Sequence, residues 1–282
     1  MRLFQTPVWG WPRLVHQKLY YQVIRVVERR AFMNLKTILI VTSRKTVKEL
    51  DRHYRRCDPM QVLYPGIDHS VFNTVMRTSL RGPARKELEL APGQFAVILV
   101  GDDWRNKGVV VLLEALERLR DLPIALLIVS REESSPWWKL VTENGLEKCV
   151  HLLPPRKDIE FYYAAADVYA GPSLQDSFAM PPAEAMACGL PVIVSAFAGV
   201  SEIIKDGVDG MILRDPRDVA GLAAMIRRLY EDEPFRTRLG EKGAETAQQY
   251  TWERNGCELT AIFEEILRRK SGFVAQTLTQ EP

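Results

Sequence analysis

From residue 95 onward, short apolar runs alternate with longer stretches of helical periodicity. The runs fall at Phe95–Val100, Ile124–Val129, Val150–Leu153, Val168–Ala170, Pro191–Val194 and Met211–Leu213. Most are continuous rather than alternating, which predicts strands buried on both faces. Between them, Val109, Leu112, Leu113, Leu116 and Leu119 form one helical stripe. Ser135-Pro136 opens a second helix, with Ser135 as N-cap and Gly145 as its end. Asp158–Ala166 reads as a third and the segment after Pro181-Pro182 as a fourth. Strands alternating with such helices predict an α/β, doubly wound, Rossmann-like parallel sheet. Pro216–Tyr230, Glu233–Gln249 and Trp252–Arg269 follow as helices, the last capped by Thr251, with 271–282 as a frayed tail.

The first seventy residues are less regular. Phe4, Trp9 and Trp11 show no clear period, whereas Leu19, Val23, Val26, Val27 and Arg30 share one face of a helix over 16–33. A basic helix preceded by tryptophans suits an anionic membrane surface; a packing helix with a solvated basic face explains the same pattern. Thr37–Val41, Thr46–Tyr54 and Gln61–Tyr64 read as strand, helix, strand. A parallel pair needs cover on both faces and rarely stands alone, so these strands call for a larger sheet. Residues 73–93 read as a linker and a short charged helix.

Composition narrows the class. With 46% hydrophobic residues in 282 the chain builds a sizeable core, and a net charge of +2 gives no footprint for nucleic acid. Cys57, Cys149, Cys188 and Cys257 are far apart and the four histidines are scattered, so no metal site is expected. Isolated cysteines fit a reduced, cytoplasmic setting, with peripheral attachment to the inner face of a membrane as the alternative. No apolar run approaches the roughly 18 residues of a membrane span.

The candidate chemistry lies in loops that follow strands, where open parallel sheets bind ligands. In Ser173–Pro191, prolines at 181 and 182 suit a first helical turn, and Gly189 and Pro191 end the helix. Asp176 and Glu184 flank that helix start, which offers unpaired amides to a phosphate. Gly101-Asp-Asp-Trp-Arg-Asn-Lys-Gly108 matches neither G-x-G-x-x-G nor the P-loop, but Arg105 and Lys107 can bracket a diphosphate. Pro154-Pro155-Arg156 offers backbone groups to a base, and Ser195–Glu202 is a small-residue loop opening another helix around Gly199. Each loop alone also reads as a solvated turn. Together on one sheet edge, cations on the first and carboxylates on another describe a nucleotide-diphosphate-sugar site.

The combination Gly101…Lys107-Gly108, Asp167…Pro172-Ser173, Asp176-x7-Glu184-Ala-Met-Ala-Cys-Gly-Leu-Pro-Val, Gly199-Val-Ser-Glu202 and Gly207…Gly210 resembles glycosyltransferase family 4. Tyr64-Pro-Gly-Ile-Asp68…Phe72 resembles that family's interdomain linker. The resemblance implies a GT-B architecture and retaining, metal-independent transfer from a nucleotide-diphospho-sugar, with no cofactor and no protein nucleophile. It assigns Glu184 to the ribose hydroxyls and Asp176 to the donor sugar. Arg105 and Lys107 fall to the departing diphosphate and the amides of Phe178, Ala179 and Met180 to sugar and diphosphate; Gly101, Ser177, Arg156 and Gly199 complete the donor-binding set. The chain departs from the family at Asp176 for Glu, at Ala179 for Gly, and at Asp102 for the usual arginine.

The resemblance also implies a division into 1–75, a truncated remnant of the acceptor domain with the linker; 76–250, the donor domain; and 251–282, a terminal helix and tail. The expected partners are a nucleotide-sugar donor and an acceptor that is a glycan, lipid or small molecule. A further chain, or a second copy through Thr37–Val41, would complete the first unit. A non-catalytic nucleotide-sugar-binding subunit is the alternative.

Overall fold

A computed structural model describes residues 11–34, 37–56, 59–132 and 135–278. Phe4, Trp9 and Cys57 lie outside them. The chain opens with α1 (Trp11–Phe32), β1 (Ile40–Val41), α2 (Arg44–Tyr54) and β2 (Gln61–Val62). β1 and β2 form a separate two-stranded parallel sheet, shorter than the expected strands. α2 starts earlier than its apolar pattern, because Ser43 accepts the Thr46 amide at 3.2 Å and caps it. α1 departs from the expected packing helix: Leu19, Val23, Val26 and Val27 are all more than half exposed.

α3 (Thr74–Glu87) corrects the reading of 73–93 as a linker with a short helix. Asn73 caps it, accepting the Met76 amide at 2.8 Å. Arg77, Arg81 and Arg85 recur every four residues and so share one face. That face turns inward and caps the carbonyls ending α7 (Glu160–Ala165). Arg81 donates to Ala166 O at 2.9 Å and Arg85 to Ala165 O at 3.0 Å, while both pair with Asp167.

The remaining elements are β3 (Phe95–Val100), α4 (Trp104–Lys107), α5 (Val109–Glu117), β4 (Ile124–Val129), α6 (Ser135–Glu143), β5 (Val150–Leu153), β6 (Val168–Gly171), α8 (Met180–Ala187), β7 (Val192–Ser195), β8 (Met211–Leu213), α9 (Val219–Glu231), α10 (Glu233–Ala247) and α11 (Trp252–Leu278). Six strands form one all-parallel sheet in the order β5-β4-β3-β6-β7-β8. Along β3, Ala96 and Ile98 enter the core on one face and Phe95, Val97 and Leu99 the core on the other. Burial on both sides is why the run is apolar without alternation.

Two further expectations need correction. Gly199–Ile203 is a single 3-10 turn rather than the start of an α-helix. α11 continues to Leu278 instead of fraying after residue 270. Thr251 does cap it, accepting the Arg254 amide at 3.1 Å; the side chain of Ser135 lies outside the described residues. α11 also reaches back to the segment after β2, where Asn255 donates to Tyr64 O at 2.8 Å. No helix among the described residues is long and apolar enough to cross a membrane.

Candidate functional site

Strand order reverses between β3 and β6, with α5 and α8 packed on opposite faces of the sheet, and open parallel sheets form their ligand crevice at such a point. Two loops line it. In the first, Gly101 sits at φ 145°, and a Cβ there would lie 2.8 Å from Lys107 Cε. The missing side chain is therefore what lets the Lys107 stem lie across the strand end. Gly108 closes α4 at φ 77°, and its Cβ would meet the Pro172 carbonyl oxygen at 2.2 Å, so the two loops touch backbone to backbone. Leu174 donates to Asn106 O at 2.7 Å and Asn106 Nδ2 to Gln175 O at 2.8 Å, which stitches them together.

The stitching brings Lys107 Nζ to 2.5 Å from Asp176 Oδ2, with the side chains only 17% and 15% exposed. Solvent screens such a pair weakly. It sits at the topological switch point.

In the second loop, Asp176 donates its amide to Phe197 O at 3.1 Å, and Gly199 and Val200 donate theirs to Asp176 O and Phe178 O at 3.1 and 2.7 Å. Gly199 is obligatory in this zipper, since a Cβ would lie 2.1 Å from Ser177 O. Ser43, from the N-terminal unit, donates its hydroxyl to the same Ser177 oxygen at 2.6 Å. The Phe178 side chain is buried in the core. The amides of Ser177, Phe178, Ala179 and Met180 have no partner among the described residues. They cluster at the N-terminal end of α8, where the helix dipole adds partial positive charge.

Ala179 stands at φ 73°, ψ 95°, outside the regions a side chain prefers. Replacing it with glycine relieves strain of about 1 kcal/mol. Ala179→Gly is therefore expected to raise the melting temperature by a few degrees, read by differential scanning calorimetry.

Glu184 lies in the second turn of α8. Its Oε2 accepts the hydroxyl of Tyr163 at 2.8 Å, and Tyr163 is fully buried. Burial pushes the Glu184 carboxyl above its usual range, and the Tyr163 bond pulls against that. Its second oxygen takes no hydrogen bond among the described residues. Glu184 is half-buried on α8, four residues past Met180.

Arg105 is exposed on α4 and has no ion partner among the described residues. Arg156 is committed instead: Asp158 holds its Nε at 3.1 Å, Glu87 pairs with it, and its guanidinium stacks 4.1 Å above the Phe161 ring. It braces the loop rather than offering a free cation. Next to it, beyond β4 and β5, a cleft of about 480 Å³ is lined by Trp104, Ser130, Arg131, Glu132 and Pro154-Pro155.

Three contributions are set by the fold rather than by local pattern. Tyr163 belongs to the run Phe161-Tyr-Tyr, which reads as core packing. Arg131 follows β4 on the same edge, where its fork binds Asp102, with Nε at 2.8 Å; a cation thereby reaches the cleft although position 102 is acidic. Glu202 clasps the N-terminal unit, accepting the Arg44 and Lys45 amides at 2.9 and 2.7 Å and the Tyr64 hydroxyl at 2.9 Å. Burial and this carboxylate push the Tyr64 phenol up to about 12.

Residues 94–232 match the family model of glycosyl transferases group 1. A D-inositol 3-phosphate glycosyltransferase of Corynebacterium aurimucosum is 29% identical over 255 residues, 86% of this chain and 60% of that protein. The enzyme of that name from Pseudarthrobacter chlorophenolicus is 31% identical over 84% of this chain and 57% of its own length. Among solved structures, sucrose-phosphate synthase from Thermosynechococcus elongatus superposes with TM-score 0.75 at 26% identity, covering 86% of this chain and 61% of that one. Anabaena HepE, solved with UDP-glucose, superposes with TM-score 0.74 at 24% identity over 81% of this chain and 64% of that one, a likeness of fold. The chain thus spans well under two thirds of the length of the curated relatives it matches.

Proposed function

We propose that this chain is the donor-binding part of a group 1 glycosyltransferase of GT-B architecture, acting on a nucleotide-diphospho-sugar. The observation that carries the reading is the Lys107–Asp176 pair at the switch point, beside the free amides that begin α8. A diphosphate is the ligand that suits a buried ammonium, a helix N-terminus and small-residue loops at once.

In this reading the nucleobase occupies the cleft at Pro154-Pro155, and the ribose hydroxyls bond the free oxygen of Glu184. The diphosphate draws Lys107 away from Asp176, with exposed Arg105 as the second cation. Asp176 is then released to accept hydrogen bonds from the donor sugar. The glycosidic C1–O bond breaks toward the diphosphate, whose growing negative charge the amides of Ser177–Met180 and Lys107 stabilise. The acceptor hydroxyl attacks C1 on the same face, and its proton passes to the departing phosphate oxygen. Configuration is retained without a protein nucleophile, and the positive charge these steps need comes from the chain itself.

Glu184 serves binding at a cost in stability. Its folded pKa is raised, so the folded state favours the proton, and stability from this group is lost as pH rises through that pKa. Glu184→Gln keeps an acceptor for Tyr163 and removes the buried charge. It is expected to raise the melting temperature at neutral pH while weakening nucleoside diphosphate binding by about 1–3 kcal/mol, read by melting and titration on the same protein.

The acceptor is a glycan, a lipid or a small molecule such as a sugar phosphate. A second reading, a donor-binding subunit inactive by itself, draws on the N-terminal sheet, which has two strands among the described residues and needs cover to be stable. A radiolabelled donor panel separates them: hydrolysis or transfer by this chain alone supports the enzyme, and binding without turnover supports the subunit.

A further inference from the structure

Tyr163 is fully buried, yet its hydroxyl reaches the one ionisable group in α8. Its ring is held edge-on by Phe72, with centroids 6.0 Å apart, so the phenol has a fixed aim. A core position served by phenylalanine would pack as well, and a buried hydroxyl is retained only where it is satisfied. Here the partner that satisfies it is Glu184. The bond consumes one of the two carboxylate oxygens and fixes the side-chain torsions, which leaves a single oxygen for a ligand. It also opposes the burial that favours the protonated form.

We propose that Tyr163 is the positioning residue for Glu184, holding the carboxylate in the orientation that selects a ribose over a sugar lacking its hydroxyls. The ligand class is a ribonucleoside diphosphate. This rests on the donor-site reading given above and adds to it the origin of ribose selectivity. Tyr163 itself touches no ligand; it acts through Glu184.

The test is calorimetric titration of the full chain with UDP, GDP and ADP, each against its 2′,3′-dideoxy counterpart. The wild type is expected to prefer the ribose form of its nucleotide roughly tenfold, and Tyr163→Phe to reduce that preference to about threefold or less. As pH falls, the variant's preference fades at a higher pH than the wild type's, because no bond then offsets burial. Phe72→Leu keeps both polar groups but loosens the ring, and is expected to lower the preference by a smaller factor. It also carries the test if Tyr163→Phe fails to fold. Wild-type preference and pH profile in both variants would overturn the proposal and leave Tyr163 as packing. So would a wild type that binds nucleotide without distinguishing ribose. A wild type that binds none of the three nucleotides overturns the donor-site reading itself, a distinct failure.

Discussion

Lys107→Ala is expected to weaken nucleoside diphosphate binding by roughly tenfold to a hundredfold, the loss of about 1.5–3 kcal/mol from charge-assisted bonds. The ammonium is mostly buried at 2.5 Å from Asp176, so salt and water replace it poorly. Its removal acts twice. The diphosphate loses its nearest fixed cation, and Asp176 becomes an unpaired carboxylate that repels the incoming phosphates. The double variant Lys107→Ala, Asp176→Asn is therefore expected to bind better than the single one. Arg105→Ala, at an exposed position, should cost less and fade with added salt. Titration calorimetry at low and physiological ionic strength checks all three.

Gly108→Ala is expected to lower stability by about 2–4 kcal/mol, through a positive φ and overpacking. The backbone there stands at φ 77°, and the added methyl meets the Pro172 carbonyl oxygen at 2.2 Å. A backbone oxygen has no rotamer to escape into, so the β3 and β6 loops must separate. Their separation also parts Lys107 from Asp176, and nucleotide binding should fall with stability. The control is Gly256→Ala in α11, where a Cβ meets nothing within 4 Å and no proline follows. Helix propensity there favours alanine by about 0.5–1 kcal/mol, so that variant should melt slightly higher. Denaturant unfolding of both proteins separates a steric effect from a general intolerance of glycine substitution.

The large sheet was legible because strands covered on both faces must be apolar throughout. The runs at 95–100, 124–129, 150–153 and 211–213 coincide with the strands β3, β4, β5 and β8. The loops proposed for the site stand out for a related reason: glycines, prolines and charges gather where strands of such a sheet end. What the sequence hid were partnerships over long separations. Arg77, Arg81 and Arg85 look like a solvated charged stretch until the carbonyls of α7, some eighty residues on, supply their acceptors. Arg156 stands in a loop read as facing a base, and only the fold shows that Glu87 and Asp158 hold its side chain. Tyr163 sits among core aromatics, and only its hydroxyl sets it apart. The α1 stripe misled in the opposite sense, since periodicity reports a helix but not what covers it.

The Ser173–Pro191 segment shows how sequence and geometry divide the work. Its helix, from Met180 to Ala187 with Gly189 at φ 71° beyond, follows from local rules of prolines, alanines and glycine. Its place in the site depends on other elements: Gly199 without a side chain, Ser43 on Ser177, Asn106 on Gln175, and Lys107 on Asp176. The alanine at 179 holds a positive-φ backbone that suits glycine better.

The proposed occupant of the crevice between the β3 and β6 loops is a nucleotide-diphospho-sugar. Titration of the purified chain with UDP-, GDP- and ADP-sugars tests it most directly. One base is expected to bind, with affinity lost on Lys107→Ala and regained in part when Asp176→Asn is added. Absence of binding by all three donors, or equal binding by wild type and Lys107→Ala, would contradict it.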